Sequence, residues 1–163
     1  MLTVGCAGFA VPATRYFKEY LFVEVQETHL AVPGPGTLRR WRREAPEGFE
    51  FALLGPRQVG QEGFREGKVI ETALKQLSDV AAELDASTAI FVAPSDFTAS
   101  RANRSALKDF LKSVREQFNR IVFEPGSATP VKVEFSRATA DFNQSDWGVE
   151  KSIDGNAGTA WGI

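Results

Sequence analysis

Two glutamates stand where packing alone does not explain a charged side chain. Glu24 lies between Val23 and Val25 in the run LFVEVQ, and Glu124 follows Val122 and Phe123 in RIVFE. A carboxylate inside an apolar run is costly to bury unless it is paired or hydrogen-bonded. Two of them at one site could do acid/base work or hold a divalent cation. The same two residues could instead be a structural pair, satisfied by Arg57 or by backbone groups. His29, the only histidine, follows the first run and could serve as a general base. A lone histidine after a strand is also an ordinary exposed loop residue. Cys6, the only cysteine, would need a base such as His29 within reach to act as a nucleophile. Otherwise it reads as a small apolar core residue.

Other chemistries find little footing. One histidine and one cysteine do not make an imidazole or thiolate metal set, so no resident metal is expected. Gly5 and Gly8 after the first apolar run, and Gly34 and Gly36 later, lack the third glycine and the spacing of a dinucleotide fingerprint, so no cofactor is expected. Arg39, Arg40, Arg42 and Arg43 surround Trp41 and could contact phosphates. With Glu44 and Glu47 beside them, they read instead as the solvated face of a short helix whose Trp41 turns inward. A formal net charge of -2 offers no basic field for nucleic acid or for an anionic membrane. No stretch approaches the ~18 apolar residues of a membrane span, and Gly, Pro, Arg, Lys and Glu break the first twenty positions where a secretory signal would be apolar. The expected location is cytoplasmic.

The elements that must position these residues follow from periodicity. Residues 2–6, 21–26, 49–54, 88–93 and 120–124 are short apolar or alternating runs and read as strands. Between them, helical spacing predicts helices over 14–20, 38–45, 68–85 and 103–118, with Thr14 and Thr37 as N-caps of the first two. The longest stripe is Val69, Ile70, Ala73, Leu74, Leu77, Val80, Ala81 and Leu84. Strict alternation of strand and helix implies an α/β fold with a parallel sheet and right-handed crossovers. Five strands and four helices make half of a β/α barrel, with Glu24, His29, Arg57 and Glu124 at the carboxyl ends of strands, where function collects in such folds. Residues 126–130 have linker composition. Residues 131–135 (VKVEF) alternate as in a half-exposed antiparallel strand, and 131–163 form a short β-rich tail without helical pattern.

Three motifs in this order resemble the YecE-like family: VGCAGF at 4–9, the stretch from LFVEVQETHL at 21 to FEFAL at 49–53, and TAIFVAP with RIVFEP closing at 125. That resemblance implies a TIM-barrel-like protein of unknown function over about 2–125, and three further strands after Glu124. Departures are specific. His29-Leu30 stands where the family tends to Phe-Tyr. Leu54-Gly55 replaces a lysine, Val59-Gly60 lies where a histidine is usual, and Val92-Ala93 replaces a glutamine. The tail, RATADFNQSDWGVEKSIDGNAGTAWGI at 137–163, is similar to the opening of discoidin-like, coagulation-factor type C jelly-roll domains.

The expected organisation is a β/α half-barrel over 1–125, a linker over 126–130 and a truncated discoidin-like segment over 131–163. Three functions fit it. One is a YecE-like fragment with a vestigial hydrolase-like carboxylate site. Another is a non-catalytic binding or assembly module touching carbohydrate through its tail. The last is a composite or engineered chain with no selected activity. An open half-barrel leaves two sheet edges, so a homo-oligomer formed through those edges, or an edge covered by 131–135, is expected.

Overall fold

The structure, a computed structural model, describes residues 3–126. Five strands form one sheet in sequence order, every neighbouring pair parallel. They are β1 (Gly5–Ala7), β2 (Phe22–Val25), β3 (Glu50–Leu54), β4 (Thr88–Val92) and β5 (Arg120–Glu124). The helices are α1 (Ala13–Glu19), α2 (Pro35–Glu44), α3 (Arg57–Gln61), α4 (Lys68–Leu84) and α5 (Arg101–Val114), and a 3-10 turn covers Glu27–His29. The sequential strand order of a half-barrel is therefore present. The predicted strand 131–135 and the rest of the tail lie outside the described residues.

The sheet has two unlike faces. Val23, Val25, Phe51, Leu53, Ala89 and Phe91 meet the helices in the main core, together with Leu77, Val80, Leu84, Phe110 and Val114. Alternate residues point the other way. There Ala52, Leu54 and Ile90 form a second, smaller buried cluster, with Phe22 and Val92 packed against it. β4 is buried along its first four residues, as expected of a strand covered on both sides.

Several local details differ from the sequence pattern. Thr14 does not cap α1. Pro12 is at that position, and the Thr14 hydroxyl donates instead to Glu44 on α2 at 3.2 Å. Thr37 lies inside the first turn of α2, which begins at Pro35 after Gly34. A proline at this position loses no helical hydrogen bond, so the helix can start earlier. Val69 leaves the α4 stripe and is 52% exposed, while its neighbour Ile70 in the same turn is buried in the core. α5 is shorter than its apolar stripe: it ends at Val114, yet Phe118 is still buried in the turn that follows. Its start is well signalled, since the Ser100 hydroxyl accepts the Asn103 N–H at 3.1 Å. α3 is a fifth helix beyond the four predicted. Five residues with two glycines nearby are too short to show a period.

Tyr16 fastens β1 to β2. Its ring is fully buried, its hydroxyl accepts the Cys6 N–H at 2.7 Å, and it donates to the Phe22 carbonyl at 2.9 Å. Burial first of all pushes its hydroxyl above the usual tyrosine pKa, so the phenol remains a donor. β1 is only three residues long, and this side-chain bridge supplements its short ladder.

Candidate functional site

The strand register decides which predicted residues share a surface. Glu24 is opposite Ala52, Leu54 opposite Ile90, Ile90 opposite Val122, and Val92 opposite Glu124. Because side chains two apart share a face, Glu24 and Glu124 lie on the face turned away from the helices. Between them are the apolar residues Ala52, Leu54, Ile90 and Val92. Ala7 is the β1 neighbour of Glu24 and adds little bulk on that side.

Glu24 is half-buried. Burial raises its carboxyl pKa above the ordinary value, and the negative charge of Glu124 raises it further. A hydrogen bond donated by the Gln26 amide to Glu24 acts in the opposite direction. Two carboxylates with two strands between them thus influence each other across the apolar floor. Such a pair can divide acid and base roles, since the group that is harder to ionise keeps its proton to higher pH.

His29 sits at the carboxyl end of β3. Its Nδ1 lies 2.8 Å from the Gly55 carbonyl oxygen. A carbonyl only accepts, so Nδ1 carries the hydrogen, and in the neutral ring Nε2 keeps the lone pair. The buried Thr28 beside it directs its hydroxyl at the carbonyls of Val25 and Leu54, at 2.9 and 2.6 Å. Thr28 and His29 together strap the loop after β2 to the end of β3.

Arg57 is exposed at the start of α3 and forms no hydrogen bond or ion pair with the described residues. It forms no ion pair with either carboxylate of the pair. Cys6 is opposite Val23 and packs against the main core, on the helix side of the sheet from Glu24. The arginine cluster divides. Trp41 is buried, Arg42 pairs with Asp85 at 3.3 Å, and Arg40 lines a cleft of about 610 Å³ with Phe9, Glu27 and Glu44. Sequence reasoning did not single out that cleft, because its walls come from the loop after β1, the 3-10 turn and α2. A second surface cleft, about 700 Å³, lies between the 32–38 segment and α4, away from the carboxylates. Among the described residues no group of three or more His, Cys, Asp or Glu side chains could hold a metal ion. Nor is any helix there long and apolar enough to cross a membrane.

A family model described as "Protein of unknown function DUF72" matches residues 13–144. The chain belongs to the DUF72 family. This is the family the YecE-like motifs point to. The match runs beyond Glu124 and across 126–130 into the segment of antiparallel pattern. The likeness of 137–163 to a discoidin-like domain finds no support in these comparisons. No curated protein matches the chain. Two crystal structures of a DUF72 family protein from Enterococcus faecalis V583 share the fold. One has a TM-score of 0.59 at 15% identity over 73% of this chain and 49% of that one. The other has a TM-score of 0.58 at 14% identity over 71% and 43%. The chain thus spans about half the length of the solved structures it matches, and the shared architecture is TIM-barrel-like.

Proposed function

We propose that this DUF72 chain carries a hydrolase-like acid/base site formed by Glu24 and Glu124 on the inner face of the sheet. The observation that carries the reading is the raised Glu24 carboxyl, which owes its shift to burial and to the charge of Glu124. Glu24 acts as the proton donor to a leaving-group oxygen. Glu124 is the base that receives a proton from attacking water. Gln26 orients the Glu24 carboxyl through its amide hydrogen bond. The apolar floor of Ala52, Leu54 and Ile90 takes the non-reacting part of a small substrate, as in most ligand sites.

The acid role has a definite pH sign. Activity needs Glu24 protonated and Glu124 ionised together, and on the alkaline side it falls as pH rises through the raised Glu24 pKa. Chromogenic glycosides and esters supplied to the full chain test this. Expected are turnover with that alkaline fall and a loss in kcat of about 100-fold or more in both Glu24→Gln and Glu124→Gln. Turnover that both variants retain would refute the assignment, and so would its absence across both substrate classes in a folded protein.

A further inference from the structure

We infer that the cleft between the 32–38 segment and α4 is a docking groove for a partner protein, and that the segment it takes carries apolar side chains beside lysine or arginine. The inference does not depend on the proposed hydrolytic site.

The groove belongs to the middle of the described sheet. β3 has a hydrogen-bonded neighbour on each side. α2 precedes β3 and α4 follows it, and the two helices pack together, with Leu38 and Val80 in the main core. Strands joined beyond β1 or β5 would extend the sheet at its ends and leave β3 two strands further in.

One wall is apolar and rigid. Val32, Pro33 and Pro35 form it, and Leu38 and Val80 lie at its foot, in a cleft of about 700 Å³. Val32 is 45% exposed. Two prolines fix backbone angles, so this wall needs little ordering when a partner arrives. The other wall is the α4 face of Gln76, Asp79 and Glu83, which helical spacing places in one row. Gln76 also borders a second cleft, about 390 Å³, beside Val69 and Thr72. The groove therefore follows α4 from the exposed Val69 to Glu83, about 21 Å at about 1.5 Å per residue. That length suits a segment of chain better than a compact molecule.

Charge selects the occupant. Asp79 and Glu83 are exposed, and neither forms an ion pair with a described residue. Glu83 stands in the last turn of α4, which holds no basic residue. A helix carries partial negative charge at that end, so an anion there opposes the stability of α4 itself. Asp85, just beyond, is matched by Arg42. Asp79 and Glu83 are left for a cation from outside, beside an apolar wall that takes its neighbours.

Fluorescence anisotropy with a short end-blocked peptide tests the inference. The probe has leucines at helical spacing with lysines between them, and its counterpart has glutamate at each lysine. The full chain should bind the first and not the second, more weakly as salt rises. The double variant Asp79→Lys with Glu83→Lys should raise the dissociation constant roughly tenfold or more, and Val32→Asp should also weaken binding. Glu116→Lys, at an exposed position beyond α5, should leave the affinity nearly unchanged. The double variant removes anions from the wrong end of a helix, so its melting temperature should not fall. Three results would overturn the inference: no binding of the lysine peptide, binding indifferent to the double variant, or a loss just as large in Glu116→Lys, which would reduce the effect to general charge attraction.

Discussion

Phe64→Ala is expected to destabilise the fold by about 3–5 kcal/mol, the range for removing a fully buried aromatic. Phe64 is 1% exposed and lies at the junction of three elements. Its ring meets Phe97 at 5.1 Å, Phe110 at 5.2 Å and Phe123 at 5.4 Å between centroids, two of them edge-on. Edge-to-face contacts of this kind add to the burial of area itself. The residue also holds a left-handed backbone, with φ of 60°, which a bulky side chain adopts only when the surroundings compensate. Alanine would keep the unfavourable backbone and lose the packing. Domains have total stabilities of about 5–15 kcal/mol, so the loss is a large share. Urea unfolding followed by fluorescence measures it. Because Phe123 precedes Glu124 on β5, the same variant should loosen the strand that carries one of the two carboxylates. A cost below about 1 kcal/mol would show that the junction is not packed as described.

Gly55→Ala is expected to cost about 1–3 kcal/mol, the typical penalty for forcing an extra methyl into a packed site. A β-carbon at Gly55 would stand 2.3 Å from one ring carbon of Phe91 and 3.1 Å from the Ile90 carbonyl oxygen. Phe91 cannot yield easily, since it is 1% exposed and in edge contact with Phe110 at 5.0 Å. The Gly55 N–H donates to that same Ile90 carbonyl at 2.6 Å, extending the β3–β4 ladder. Its own carbonyl holds His29. Displacing Gly55 would therefore also slacken the strap after β2. Thermal unfolding measures the first effect, and the His29 ring resonances report the second. An unchanged melting temperature with unchanged His29 signals would contradict the close approach.

These two positions show why the sequence revealed more of the fold than of its fastenings. Strands such as TAIFV at Thr88–Val92 and the stripe of Lys68–Leu84 are visible because burial repeats along the chain at the period of the element. The placement of Glu24 and Glu124 was accessible for the same reason, since each interrupts an apolar strand. Their mutual influence is not legible there, because it depends on how four strands line up side by side. His29 shows the opposite limit. Its residue type suggests chemistry, but its partner is a backbone carbonyl at Gly55, and no sequence pattern encodes that contact. Arg57 looked like a counter-ion because it follows β3, yet α3 begins there and carries it into solvent. α3 itself has too few residues to display a period.

The pH behaviour of Glu24 ties the site to the fold. Its carboxyl pKa is raised in the folded chain, so the folded state holds that proton to higher pH than the unfolded chain does. The contribution to stability is fully present below the unfolded value. It is lost as pH rises through the folded one, a window that opens upward from the ordinary glutamate range. Glu24 is only half-buried, so solvent screening holds the effect to less than about 1 kcal/mol. Stability is therefore a blunt readout of the pair, and the proton itself is the better one.

The central claim is that Glu24 and Glu124 act on each other across one face of the sheet. Carbon-13 NMR of the Glu24 side-chain carboxyl, followed through a pH titration of the chain and of Glu124→Gln, measures this directly. Glu24 should titrate above an ordinary glutamate, and removing the Glu124 charge should move it back toward the ordinary value without restoring it fully, because burial remains the larger cause. A Glu24 that titrates as an ordinary glutamate, or one that does not respond to Glu124→Gln, would contradict the account.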